Sequence, residues 1–133
     1  GEFTDFEGDW QAMHDYLCDF NVGCIELIPG RNSFEVLNDF VQFFNERNFI
    51  ITFGTEHNTP ALKPLTVTCR NDVPLGDELE KINFEGASVI AAHQYKKAKG
   101  KEGFLAPSNE PKLKEKENFV NLGKAVISEF MAK

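Results

Sequence analysis

Three consecutive polar residues, Glu56, His57 and Asn58, follow an apolar run that ends at a glycine: Phe49-Ile-Ile-Thr-Phe53, then Gly54-Thr55. A carboxylate, an imidazole and an amide at the mouth of a buried strand are the groups that hold a divalent metal or move a proton. Binding loops carried on rigid strands are where such groups concentrate. Oxygen and nitrogen donors of this kind suit Zn, Mn or Fe, and such an ion brings the pKa of a bound water down to about 7. The competing structural role is a turn in which Glu56 or Asn58 caps a backbone N–H.

Further candidates are scattered. Arg31 follows a short apolar segment and precedes a helix start, a combination that attracts anions such as phosphate. A surface ion pair with Glu35 is the alternative. Glu26 sits inside the apolar segment Cys24-Ile-Glu-Leu-Ile28 and alternates with it, aimed at either solvent or a barrel lumen. His14 beside Met13 and His93 in an alanine- and lysine-bearing stretch are assigned structural or surface roles. The lysines between 96 and 116 are assigned to a solvated loop.

These residues require particular elements to position them. Trp10, Met13, His14 and Leu17 recur at helical spacing within 5–20. Cys24–Ile28 is expected as a strand closed by Pro29-Gly30. A helix is expected from an Asn32 N-cap with Glu35 completing a capping box, and Phe34, Leu37, Phe40, Val41 and Phe44 form its apolar face. The strand 49–53 follows directly. Strand, helix of about four turns, strand implies a parallel pair whose C-terminal ends open on one edge. Downstream, 65–69 is expected as a strand, 77–82 and 85–97 as two helices, and 99–116 as an exposed loop or lid. A final helix is lined by Phe119, Leu122, Val126, Ile127 and Phe130. The expected fold is α/β, with a core β-α-β at 23–60 and a helical part at 77–133, within a single domain spanning 1–133.

The order strand, helix, strand, Gly54-Thr55-Glu56-His57-Asn58 resembles the C-terminal part of the polymerase and histidinol phosphatase (PHP) superfamily. Its members are similar to distorted (β/α) barrels that bind two or three metal ions and hydrolyse phosphoesters. Their last metal motif reads Gly-Ser-Asp-x-His. Gly54 and Thr55 match its first pair, Glu56 stands at the metal-binding aspartate and Asn58 at the histidine, with His57 one position early. The resemblance covers about 24–60 and implies a partial barrel-like fragment of a metal-dependent phosphoesterase. Glu56, and with it His57 and Asn58, would face the metal, and Arg31 a phosphorylated small-molecule substrate. The family's N-terminal His-x-His is not in this sequence, whose histidines are His14, His57 and His93. The fragment alone is therefore expected to be inactive, and no catalytic residue is assigned. The shifted histidine favours the alternative: a non-catalytic binding or interaction module with a degenerate metal site.

Composition narrows the partners. A net charge of −7 over 133 residues disfavours nucleic acid and anionic membranes, and no apolar stretch approaches the ~20 residues of a membrane span. Cys18, Cys24 and Cys69 lack Cys-x-x-Cys spacing and are expected as buried, inert thiols in a reducing, cytoplasmic compartment. The opening Gly-Glu-Phe-Thr suggests a piece of a longer polypeptide. Sheet edges left open by such a cut would make the chain a homo-oligomer.

Overall fold

The structure is a computed structural model, and it describes residues 8–55 and 67–132. Among the described residues, four α-helices surround a two-stranded parallel sheet. Helix α1 (Trp10–Asp19) starts at Asp9, whose side chain accepts from the Ala12 amide. This N-cap satisfies one of the amides the first turn leaves without a helical partner. Strand β1 (Cys24–Leu27) leads through a 3-10 turn (Pro29–Arg31) into helix α2 (Phe34–Asn45), and strand β2 (Ile50–Phe53) returns beside β1. The register pairs Cys24 with Ile50 and Leu27 with Phe53, parallel as the short crossover demands.

The N-cap of α2 is Ser33, whose Oγ accepts from Val36 N, rather than Asn32. Asn32 is extended, with φ −128°, so Glu35 lies two residues past the cap and the reciprocal capping box does not form. The chain leaves α2 through Asn48, which takes the left-handed φ of 63° that asparagine tolerates. Beyond β2, Thr68 and Pro74 form only an isolated bridge. The described part of the expected strand at 65–69 is therefore one side of a tight turn whose tip, Asn71 and Asp72, has positive φ at both residues. The two helices expected at 77–97 are a single one, α3 (Asp77–Ala98). Asn83 and Phe84 do not interrupt it, because neither lacks an amide nor forbids helical dihedrals. Helix α4 (Lys116–Met131) closes the chain. It buries Phe119, Val120 and Gly123, while Phe130 is 77% exposed, so the buried face is rotated from the expected one.

Two apolar clusters lie on the two sides of β2. Ile51 and Phe53 join Leu37, Phe40, Val41 and Phe44 of α2, with Trp10, Met13 and Leu17 of α1 packed on the outside. Ile50 points the other way, into Val89 and Ala92 of α3, Phe119 and Val120 of α4, and Phe104. A strand covered on both faces explains the unbroken apolar run Phe49-Ile50-Ile51. The aromatic packing is edge-on or tilted: Trp10 meets Phe40 at 5.6 Å, Phe44 meets Phe49 at 5.2 Å, and Phe104 meets Phe119 at 5.2 Å. These are the arrangements ring quadrupoles favour. His14 stacks in the same group, 5.4 Å from Phe49.

The segment 99–116 is not a free lid. Phe104 is buried, its N–H donates to Nδ1 of His93 at 2.8 Å, and Lys112 Nζ donates to the Gly103 carbonyl at 3.0 Å. The segment is the exposed loop its glycine, proline and lysine content suggested, tied down by one aromatic anchor.

Candidate functional site

The parallel ladder sets the geometry of the candidate site. Ile50 N donates to Gly23 O, and Gly54 N donates to Leu27 O. By the two-residue period, the peptide groups of 23, 25 and 27 face β2, while those of Cys24 and Glu26 face away from it. The opposite edge, on β2, is covered. Phe53 N donates to Oδ1 of Asn83 on α3 at 2.9 Å. At Gly86 an added Cβ would lie 2.0 Å from the Ile51 carbonyl oxygen, so only glycine lets α3 come this close. Helix α3 thus seals one edge of the sheet and β1 presents the other.

At the C-terminal end of the pair, three segments converge. The first is the Pro29–Arg31 turn after β1. The second is Gly54-Thr55 after β2. The third is the turn around Arg70–Asp72, docked on the first: Arg70 N donates to Asn32 O at 2.9 Å, and its guanidinium donates to the Arg31 carbonyl. Glu26 completes the arrangement. Its residue pairs with Thr52, and its carboxylate lies over Gly54, where an added Cβ would be 2.6 Å from Oε1. Glu26 is therefore on the sheet face opposite α2, and its side chain runs toward the C-terminal end. The Glu26 carboxylate and two arginine-bearing turns, the second of which also carries Asp72, share this corner, a mixed-charge setting for an oxyanion or a hydroxylated ligand.

Of the residues singled out in the sequence, Arg31 stands at this corner, as the last residue of its 3-10 turn and exposed. Glu56, His57 and Asn58 lie outside the described residues. Glu26 was visible in the sequence only as an acid inside an apolar strand, with its direction open. Arg70 had no sequence signal, because its role depends on a turn folding back across 39 positions onto Arg31. His93 is held in the fold by the Phe104 amide, so Nδ1 is the unprotonated nitrogen in that bond.

The cysteines depart from expectation. Cys69 is buried, but Cys18 and Cys24 are exposed. Desolvation raises the pKa of all three thiols, with Asp15 and Asp19 adding to the rise at Cys18 and Glu35 at Cys69. A raised pKa reduces the thiolate fraction and disfavours nucleophilic roles. No helix among the described residues is long and apolar enough to cross a membrane.

In comparisons with protein-family models, curated proteins and solved structures, the chain matches none. A functional reading consequently rests on its residues and their placement.

Proposed function

We propose that the chain is the C-terminal part of a distorted (β/α) barrel of the PHP type, whose complete form is a metal-dependent phosphoesterase. The chain alone is then catalytically inactive. The observation supporting this reading most directly is the Glu26 carboxylate, on the sheet face opposite the crossover helix and against Gly54 at the strand's end. In (β/α) barrels the helices lie outside, the opposite face of the strands lines the interior, and sites form at the strands' C-terminal ends. Here α3 and α4 cover that face at Ile50, so the parallel with an interior extends only to its C-terminal part, at Glu26 and Gly54. In the sequence, Glu56 follows Gly54 by two residues.

A divalent ion such as Zn, Mn or Fe would supply an activated water in the complete barrel. Among the described residues no group of three His, Cys, Asp or Glu side chains is placed to hold an ion. Glu26 offers a single carboxylate, short of the three or four protein ligands that zinc takes. The described residues do not by themselves fit a metal centre, and no step is routed through one. What they do on this reading is bind and orient. The turns carrying Arg31 and Arg70 stand where a phosphoester's oxyanion would dock, stapled together through the Arg31 carbonyl. The edge of β1, which no described element covers, is on this reading where the sheet would continue, through further strands or a second copy of the chain.

Elemental analysis of the longer polypeptide implied by this reading tests it. The expected result is near-stoichiometric Zn, Mn or Fe that falls sharply in Glu56→Ala, together with hydrolysis of a generic phosphoester. Metal content unchanged by that substitution removes Glu56 from the site. A second reading, a non-catalytic binding module with a degenerate metal site, draws on His57 directly following Glu56, one position before the family's histidine. It predicts neither bound metal nor turnover in the same experiment.

A further inference from the structure

At the other end of β2 from the corner described above, the carbonyl just before the strand is held by a partly buried cation. Lys116, the first residue of α4, donates from Nζ to the Phe49 carbonyl at 2.8 Å and to Asn45 Oδ1 at 2.9 Å. Both acceptors are neutral, and an ammonium has three donors, so one remains. Among the described residues no carboxylate reaches Lys116 at ion-pair distance; Glu85 instead pairs with Lys81 at 3.7 Å. Burial lowers the Lys116 pKa, and the Glu85 charge opposes that shift only in part. A partly buried charge held by dipoles alone is costly unless an anion completes its shell.

Lys116 lines an open cleft of about 410 Å³ between the end of α2, the first half of α3 and the start of α4. Asn45, Asn48 and Lys124 also line it, and across the whole cleft the lysines (81, 116, 124) outnumber the glutamates (85, 117). That local positive excess occurs in a chain of net charge −7.

We infer that this cleft binds a phosphate-sized oxyanion, free or carried by a small molecule, with Lys116 and Lys124 supplying charge and Asn45 and Asn48 further amide donors. This inference stands apart from the phosphoesterase reading, because its residues lie at the opposite end of the sheet. Helix α4 carries Lys116 and Lys124 two turns apart, and the Phe49 and Asn45 bonds fix the first before any ligand arrives. The site is therefore preorganised on its most buried side, which favours affinity.

Titration of the chain with inorganic phosphate, followed by amide NMR against chloride at equal ionic strength, tests this. Saturable shifts are expected at 45–49, 81–85 and 116–124, with the corner at 28–32, 54–55 and 70–72 reporting separately on the phosphoesterase reading. Lys116→Met is expected to weaken phosphate binding about tenfold, as loss of a charge-assisted hydrogen bond does. Lys124→Met, which leaves the Phe49 staple intact, should weaken it severalfold even if Lys116→Met fails to fold. A second arm with glycerol 3-phosphate separates sources: tighter binding of the ester assigns a phosphorylated small molecule, and equal binding assigns free phosphate. Shifts spread evenly over every lysine-bearing surface, or unchanged affinity in Lys124→Met, would overturn the inference.

Discussion

The two edges of the sheet are built in opposite ways. On β2 the edge is closed by α3, through the Gly86 contact with Ile51 and the Asn83 cap on Phe53. On β1 the outward peptide groups belong to Cys24 and Glu26, whose side chains are exposed. Unpaired edges recruit other strands, and a helix laid along an edge is one way proteins prevent it. Among the described residues the sheet is therefore finished at β2 and open at β1. That asymmetry also separates what is structural from what is available for function.

The sharpest way to break the comparison is at the sealed edge. Replacing Gly86 by Ala in an isolated helix would be favourable by about 1 kcal/mol. Here the added carbon meets backbone at 2.0 Å, and overpacking of this kind typically costs 1–3 kcal/mol or more. The clash should win: Gly86→Ala is expected to destabilise by about 2 kcal/mol, read as a lower urea midpoint. A midpoint equal to or above wild type would show that α3 does not seal the edge.

Proline scanning of β1 sharpens the other side. Ile25→Pro removes an amide that faces β2 and should cost about 2 kcal/mol, whereas Glu26→Pro removes one facing outward and should cost far less. If β1 edges pair between copies, light scattering of the chain gives a mass above 15.0 kDa. Glu26→Pro should then return it to the monomer. A clean monomer at high concentration in the unsubstituted chain would mark the open edge as inert.

A smaller loss is expected for Asn83→Ala, about 1–2 kcal/mol, because the Phe53 amide is left without its acceptor. Hydrogen exchange at Phe53 should accelerate while exchange at Ile50, bonded to Gly23, does not.

The smallest effect concerns pH. Burial lowers the folded-state pKa of Lys116 below its ordinary 10.5. Between the folded and unfolded values the unfolded chain binds more protons, so stability rises with pH in that window. Wild type should therefore gain on Lys116→Met as pH approaches 10.5 from below, measured as the difference in urea midpoints. A wild-type-minus-variant difference that falls as pH rises would reverse the sign of the coupling.

Much of this was legible along the chain, for reasons that are local. The periodicity of Phe34, Leu37, Phe40, Val41 and Phe44 fixes a helix face regardless of what covers it. A short helix between two apolar segments leaves parallel pairing as the economical connection. Glycine, proline and lysine between 99 and 116 are equally local signals, and they gave the exposed loop but not its anchor, Phe104, whose burial ties the segment down. At 65–69, alternation suggested a strand but Thr68 found only Pro74 to bridge.

The site was less readable than the fold. Arg31 was recognisable from its place before a helix, but Arg70 and Lys116 were not, since each acts on a partner 39 or 67 positions away. Sequence by itself determined the β-α-β unit, its parallel pairing, the presence of helix downstream and the acidic character of the chain, because periodicity, turn residues and charge act over a few neighbours. Tertiary structure alone decided which edge of the sheet is sealed, where Glu26 points and which lysine is drawn partly inside. Those outcomes depend on distances between residues remote in the chain, and no local pattern encodes a distance.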